Sequence, residues 1–247
     1  TIWDKGEVVE LTPPHDVLGQ VIGQYLPKTE ALREMMKKSY DILSNHPINV
    51  ERMKKGLNPA NSIWFWGAGT RPALAPFVEK TGHTGAMISA VDLLKGIAVG
   101  ADMKVVEVEG ANGGLDTNYE GKADAAVEAL LKDDLDFAYI HLEAPDEMGH
   151  QGSFERKVQA IENLDKRIIK RVTEQLEAAG TDFRMLVLPD HPTPVAIRTH
   201  VSDPVPYMLY DSTNKQSHTW NYNEKEAQES GNYIDKGYTI INHLFEK

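Results

Sequence analysis

From Ser62 to the carboxyl end, short unbroken apolar runs alternate with segments of helical periodicity, and that alternation limits the fold more than any other feature. The runs are "IWFW", "AMISAV", "KVVEVEG", "FAYIHL", "MLVLP" and "YMLY". Between them lie "DAAVEALLKD" and the long "FERKVQAIENLDKRIIKRVTEQLEAAG". A strand buried on both faces reads as a continuous apolar run, and parallel sheets are buried on both faces because crossover helices cover them. The pattern predicts an α/β fold: a mainly parallel sheet with helices on both faces. In the long helix Val158, Ile161, Leu164, Ile168, Val172 and Leu176 mark one stripe, with Gly180 as the stop.

The amino-terminal part reads as a smaller unit. An extended piece at "GEVVEL" and a Pro-Pro turn lead into an amphipathic helix around "KTEALREMMKKSYDILSNH". There Leu32, Met35, Met36, Tyr40 and Leu43 recur at three- and four-residue steps and form one apolar face. "GLNPANS" breaks the pattern with Gly and Pro, which places a domain boundary at about Asn58: residues 1–58 on one side, 59–247 on the other.

Charge narrows the partners. With 26 Lys and Arg against 37 Asp and Glu, the formal net charge is −11. Nucleic acid and anionic membranes are excluded as expected partners, because phosphate-backbone binding needs concentrated positive charge. No run reaches the roughly 18 apolar residues of a membrane span, and "TIWDKGEVVEL" lacks the regions of a signal peptide, so a cytoplasmic location is expected. Zero cysteines leaves His and carboxylate as the ligand chemistry for any metal.

Two of the apolar runs end alike. "DFAYIHL" is followed by "EAPDEMGH", with Asp146 four residues ahead of His150, and "RMLVLP" is followed at once by Asp190 and His191. A third loop, "AIRTHVSDPVP", adds His200. Side chains just beyond the carboxyl ends of parallel strands face the crevice where ligands bind, so all three loops are expected on one rim. Asp146, His150, Asp190, His191 and His200 form a five-member oxygen and nitrogen set that suits Mn²⁺, Zn²⁺ or Fe²⁺. Five protein ligands exceed what one catalytic ion with an open position takes, so two divalent ions roughly 3.5–4 Å apart are expected. His141, inside the strand, is read as structural.

Several signatures are missing. "GAGTRP" has Pro72 where a dinucleotide fingerprint needs its third glycine, and there is no Walker lysine loop. Neither His-Glu-x-x-His nor Gly-x-Ser-x-Gly occurs. Nicotinamide chemistry, P-loop phosphotransfer and serine hydrolysis are disfavoured.

Together "HLEAPDEMGHQG", "LPDHPTPVAIRTHVSDPVP", "GANGGLDTNYEGKA" and "AVDLLKG" resemble the archaeal-type cofactor-independent phosphoglycerate mutases of the alkaline phosphatase superfamily. The resemblance implies a two-metal phosphotransfer site (Mn, Zn or Mg), with Asp146, His150 and His200 on one ion and Asp190 with His191 on the other. It also implies a small phosphorylated substrate, phosphoglycerate, whose phosphoryl group passes through a phospho-Ser or phospho-Thr enzyme in glycolysis or gluconeogenesis. Lys95 aligns with a lysine that meets the substrate phosphate, and Arg71, Arg198 and His15 are further substrate-binding candidates. The same subgroup includes proposed homoserine kinases. Two alternatives therefore accompany this one: a homoserine kinase-like phosphotransferase or phosphate-ester hydrolase, and a non-catalytic metal-binding remnant.

The sequence departs from the family's pattern at its start, where no strand followed by Asp-Gly and no nucleophile loop is found. The expectation is a carboxyl-terminal part of a longer enzyme, inactive by itself. Residues 1–58 would then be part of an inserted α/β cap, and 59–247 an alkaline phosphatase-like core without its first strands.

Overall fold

A computed structural model describes residues 8–17, 19–70, 72–215 and 219–246. Two of the substrate candidates, Arg71 and the side chain of His15, lie outside the described residues. The chain divides into two compact units, Thr1–Pro72 and Ala73–Lys247.

In the first unit, helix α1 (Glu30–Leu43) buries Leu32 and Met36 with Phe65, and helix α2 (Pro47–Lys54) follows. Met35 and Tyr40 are 44% and 53% exposed, so the buried face is narrower than the heptad-like spacing predicts. The run "IWFW" forms no strand. It is a cover for α1, and side chains satisfy its backbone: Ile63 N–H donates to Ser39 Oγ at 3.0 Å. The Asn49 amide brackets Ala60, donating to its carbonyl at 2.8 Å and accepting from its N–H at 2.9 Å, which ties the segment after Asn58 to this unit.

The second unit is α/β. Strands β1 (Gly85–Ile88), β2 (Lys104–Val105) and β3 (Phe137–Ile140) form a parallel sheet in the order β2-β1-β3. Helices α3 (Phe77–Thr81), α4 (Asp92–Gly100) and α5 (Tyr119–Leu131) supply the cover. On one face Ala86 and Ile88 pack with Ala126 and Ala129 of α5, small residues that let the helix come close. Alternation along the strand turns Gly85 the other way, toward Phe77 and Met103. A Cβ at Gly85 would stand only 3.0 Å from Met103 Cε. Phe137, its partner across the ladder, stacks on Phe77 at 5.3 Å. The expected parallel sheet covered on both faces is borne out.

Helix α6 (Ala144–His150) follows β3 directly, and α7 (Phe154–Leu164), a π-helical turn at Asp165–Ile169 and α8 (Lys170–Ala178) follow as one rod. Gly180 at φ 67° ends it: its N–H reaches the Glu177 carbonyl at 3.0 Å and the Thr181 N–H reaches Leu176 at 3.1 Å, a Schellman closure. The expected stripe holds only partly. Ile168, Val172 and Leu176 are buried, whereas Val158 and Ile161 are 39% and 52% exposed and Ala160 faces the core instead. The π turn rotates the rod between its halves, so no single stripe of period 3.6 runs through both.

Strands β4 (Arg184–Val187) and β5 (Met208–Asp211) pair antiparallel as a separate ladder, which an apolar run cannot foretell, since burial carries no direction. Helices α9 (Glu224–Glu229) and α10 (Ile240–Phe245) complete the chain. Among the described residues no helix is long and apolar enough to cross a membrane.

Candidate metal centre

At the end of β3 the His141 N–H still reaches the Ile88 carbonyl at 2.9 Å, so the strand carries its side chains up to the rim before the backbone turns. Pro145 in the first turn starts α6, because a residue without an N–H costs nothing there. Asp146 sits in that first turn and His150 in the last, four residues apart and hence on one helix face. Asp146 Oδ2 and His150 Nε2 are 3.3 Å apart.

The loop after β4 brings the rest. Asp190 and His191 follow the strand, and a turn closed by Ile197 and Arg198 N–H groups on the Pro194 carbonyl (3.1 and 2.9 Å) returns the chain to the rim. Arg198 takes the left-handed conformation, φ 60°. Its carbonyl lies 3.0 Å from His150 Nδ1, which must therefore carry the proton, leaving the Nε2 lone pair directed inward. His200 Nε2 then stands 3.1 Å from His150 Nε2 and 3.3 Å from Asp146 Oδ1. The Asp146, His150 and His200 donor atoms all lie within 4.8 Å of one another.

The His191 ring lies against that of His200, tilted by 36° with centroids 3.7 Å apart. Its Nε2 is 3.4 Å from Asp190 Oδ2, and its N–H donates to Asp190 Oδ1 at 3.1 Å. Asp190 is the most open of the set, with 70% of its side chain exposed. The remaining candidates behave differently. Lys95, on α4, is committed to Glu107 at 2.7 Å. The Arg198 guanidinium covers Gly152, where a Cβ would collide with it, and Gly152 has φ +68°.

Around these donors lies a polar shell that sequence patterns do not disclose. Thr193, 3% exposed, donates its hydroxyl hydrogen to Asp146 Oδ1. Lys157 of α7 donates to the Thr193 carbonyl at 2.6 Å, and burial pushes its ammonium below the usual range. Lys122, 1% exposed on α5, donates to the His141 carbonyl at 3.1 Å and is likewise pushed down by burial. Burial lowers His141 as well, against the pull of Asp190 and Asp146, and its Nδ1 is 3.2 Å from Ser89 Oγ. Glu143 is raised, first by burial and then by Glu147 and Asp146. Thr193 had one signal, its place two residues beyond His191 in a strand-end loop; Lys122 and Lys157 had none.

The donor set fits a divalent ion. Metal–ligand bonds of about 2.0–2.2 Å at tetrahedral angles separate neighbouring donors by about 3.3–3.6 Å, close to the spacings found. The His150 Nε2 lone pair, its ring proton directed to the Arg198 carbonyl, is free to face a cation shared with His200 Nε2 at 3.1 Å.

Residues 25–246 match the family model of the Metalloenzyme superfamily, and the chain belongs to that superfamily. Divalent-metal binding follows from membership. Among its relatives is the 2,3-bisphosphoglycerate-independent phosphoglycerate mutase of Methanosarcina barkeri, 48% identical over 92% of this chain and 57% of the relative. Two solved structures are similar: the PH0037 protein from Pyrococcus horikoshii, with a TM-score of 0.65 and 33% identity, covers 81% of this chain and 51% of its own. The cofactor-independent phosphoglycerate mutase from Thermoplasma acidophilum has a TM-score of 0.50 and 26% identity over 87% of this chain and 51% of its own. The resemblance drawn from the motifs is borne out, and the chain spans little more than half the length of these relatives.

Proposed function

We propose that this chain supplies the metal-holding core of a phosphoryl-transfer enzyme that interconverts 2-phosphoglycerate and 3-phosphoglycerate. The observation that carries the reading is the convergence of Asp146, His150 and His200, in a chain whose relative at 48% identity bears the mutase name. Asp146, His150 and His200 would hold one divalent ion, Mn²⁺ or Zn²⁺ by donor type, and Asp190 with His191 would contribute to a second. Bound there, such ions supply neutralisation of phosphoryl charge and lower the pKa of a coordinated hydroxyl.

The chain's own residues do the positioning. The Arg198 carbonyl fixes the His150 tautomer, and its guanidinium lies beside the Gly152 turn as a planar donor suited to a phosphate or carboxylate. With a net charge of −11, attraction of an anionic substrate has to be local to this rim.

Assay of the full-length protein on 3-phosphoglycerate, with homoserine plus a phosphoryl donor as comparator, tests the proposal. Metal-dependent formation of 2-phosphoglycerate that Asp146→Ala abolishes is the expected result. Turnover of homoserine without turnover of phosphoglycerate would overturn the acceptor.

A further inference from the structure

Thr193 is buried, yet it belongs to the loop between two expected ligands, and all three of its polar connections lead to the metal rim. Its hydroxyl has one hydrogen and donates it to Asp146 Oδ1. On the other side it stands 3.3 Å from His191 Nδ1. With its hydrogen already committed, the oxygen meets His191 only as an acceptor, so the imidazole proton belongs on Nδ1 and the lone pair on Nε2. Nε2 is the nitrogen beside Asp190 Oδ2.

We infer that Thr193 is a positioning residue that joins the two ion sites: one hydroxyl fixes the carboxylate of the first ligand shell and the tautomer of the second. The inference rests on the reading of Asp146 and His191 as ligands and says what holds them in register. The hydroxyl is itself anchored. The Thr193 carbonyl accepts from Lys157 Nζ at 2.6 Å, and it presses so closely on Gly149 that a Cβ there would collide with it. Gly149 neighbours His150, so the α6 turn and the strand-end loop are held as one piece. Partners behind metal ligands typically affect affinity by about 10–100-fold, because they set ligand orientation before the ion arrives.

Thr193→Val keeps the shape and removes the hydroxyl; Thr193→Ser keeps the hydroxyl and removes a methyl. Mn²⁺ titration by calorimetry on the intact chain, with circular dichroism as the fold check, is paired with long-range ¹H–¹⁵N spectra that report the His191 tautomer in metal-free protein. Thr193→Val is expected to weaken Mn²⁺ binding about tenfold or more and to release His191 from the Nδ1–H tautomer, while Thr193→Ser stays within about threefold of wild type and keeps the tautomer. A folded Thr193→Val that binds as wild type and keeps the tautomer overturns the inference alone. Should Thr193→Val fail to fold, Thr193→Ser decides, since loss of affinity or tautomer with the hydroxyl present also overturns it. Wild-type protein that binds no Mn²⁺ overturns the ligand reading beneath it as well.

Discussion

His150 Nε2 and His200 Nε2 face each other at 3.1 Å, with the two oxygens of Asp146 each 3.3 Å from one of them. His150 directs its Nδ1 proton to the Arg198 carbonyl, so its Nε2 lone pair faces the other two side chains. An ion placed among the three side chains would take one donor atom from each. Zn²⁺ is therefore expected to shift the ¹⁵N resonances of His150 Nε2 and His200 Nε2 while His150 Nδ1 keeps its proton, and Zn²⁺-saturated protein in which neither Nε2 resonance moves would contradict the arrangement.

Arg198 separates backbone from side chain. An L residue in the left-handed region costs about 1 kcal/mol or more, so Arg198→Gly is expected to be about 1 kcal/mol more stable than Arg198→Ala in urea unfolding. Both variants keep the carbonyl that holds His150 and should bind metal as wild type does. If the guanidinium meets the substrate, both raise KM for phosphoglycerate in the full-length protein.

Gly149 has no room for a methyl group, because Thr193 O and Lys157 Nζ occupy its place. Gly149→Ala is expected to cost about 2 kcal/mol, the usual range for overpacking a closed site, and to weaken metal binding by shifting His150. Thermal melting with and without Mn²⁺ reads both effects.

Asp211 shows a pH dependence of definite sign. Hydrogen bonds from Thr213, then that from Arg184, hold its carboxyl at about 2, below its ordinary value of 3.8. A depressed folded-state pKa gives stability that is present above the unfolded value and lost as pH falls through the folded one. Asp211→Asn should therefore lower the urea midpoint at pH 7, and the gap from wild type should close as pH falls from about 5 toward 2. A gap that widens in acid would contradict it.

The elements that announce themselves in the sequence are those whose environment is set by their own neighbours. Strand β3 and the Asp146–His150 step were legible because a continuous apolar run ending in a proline-started helix fixes both position and face. "IWFW" was not, because a covering segment and a buried strand share the same composition, and contacts such as Ile63 N–H to Ser39 Oγ come from distant side chains. Met35 and Tyr40 lie on the predicted face, yet among the described residues they are exposed, since periodicity marks a face but not how much of it is covered. The Lys95–Glu107 pair was not legible either, since Glu107 comes from beyond the next turn. Thr193 needed coordinates, because a hydroxyl matters only through what stands 3 Å away.

The central claim is that Asp146, His150 and His200 share one divalent cation. Mn²⁺ titration of the intact chain and of Asp146→Ala, His150→Ala and His200→Ala, each checked for fold by circular dichroism, tests it most directly. The account predicts saturable binding by wild type and at least about a tenfold loss in every single variant. Folded variants that bind Mn²⁺ as wild type does would contradict it.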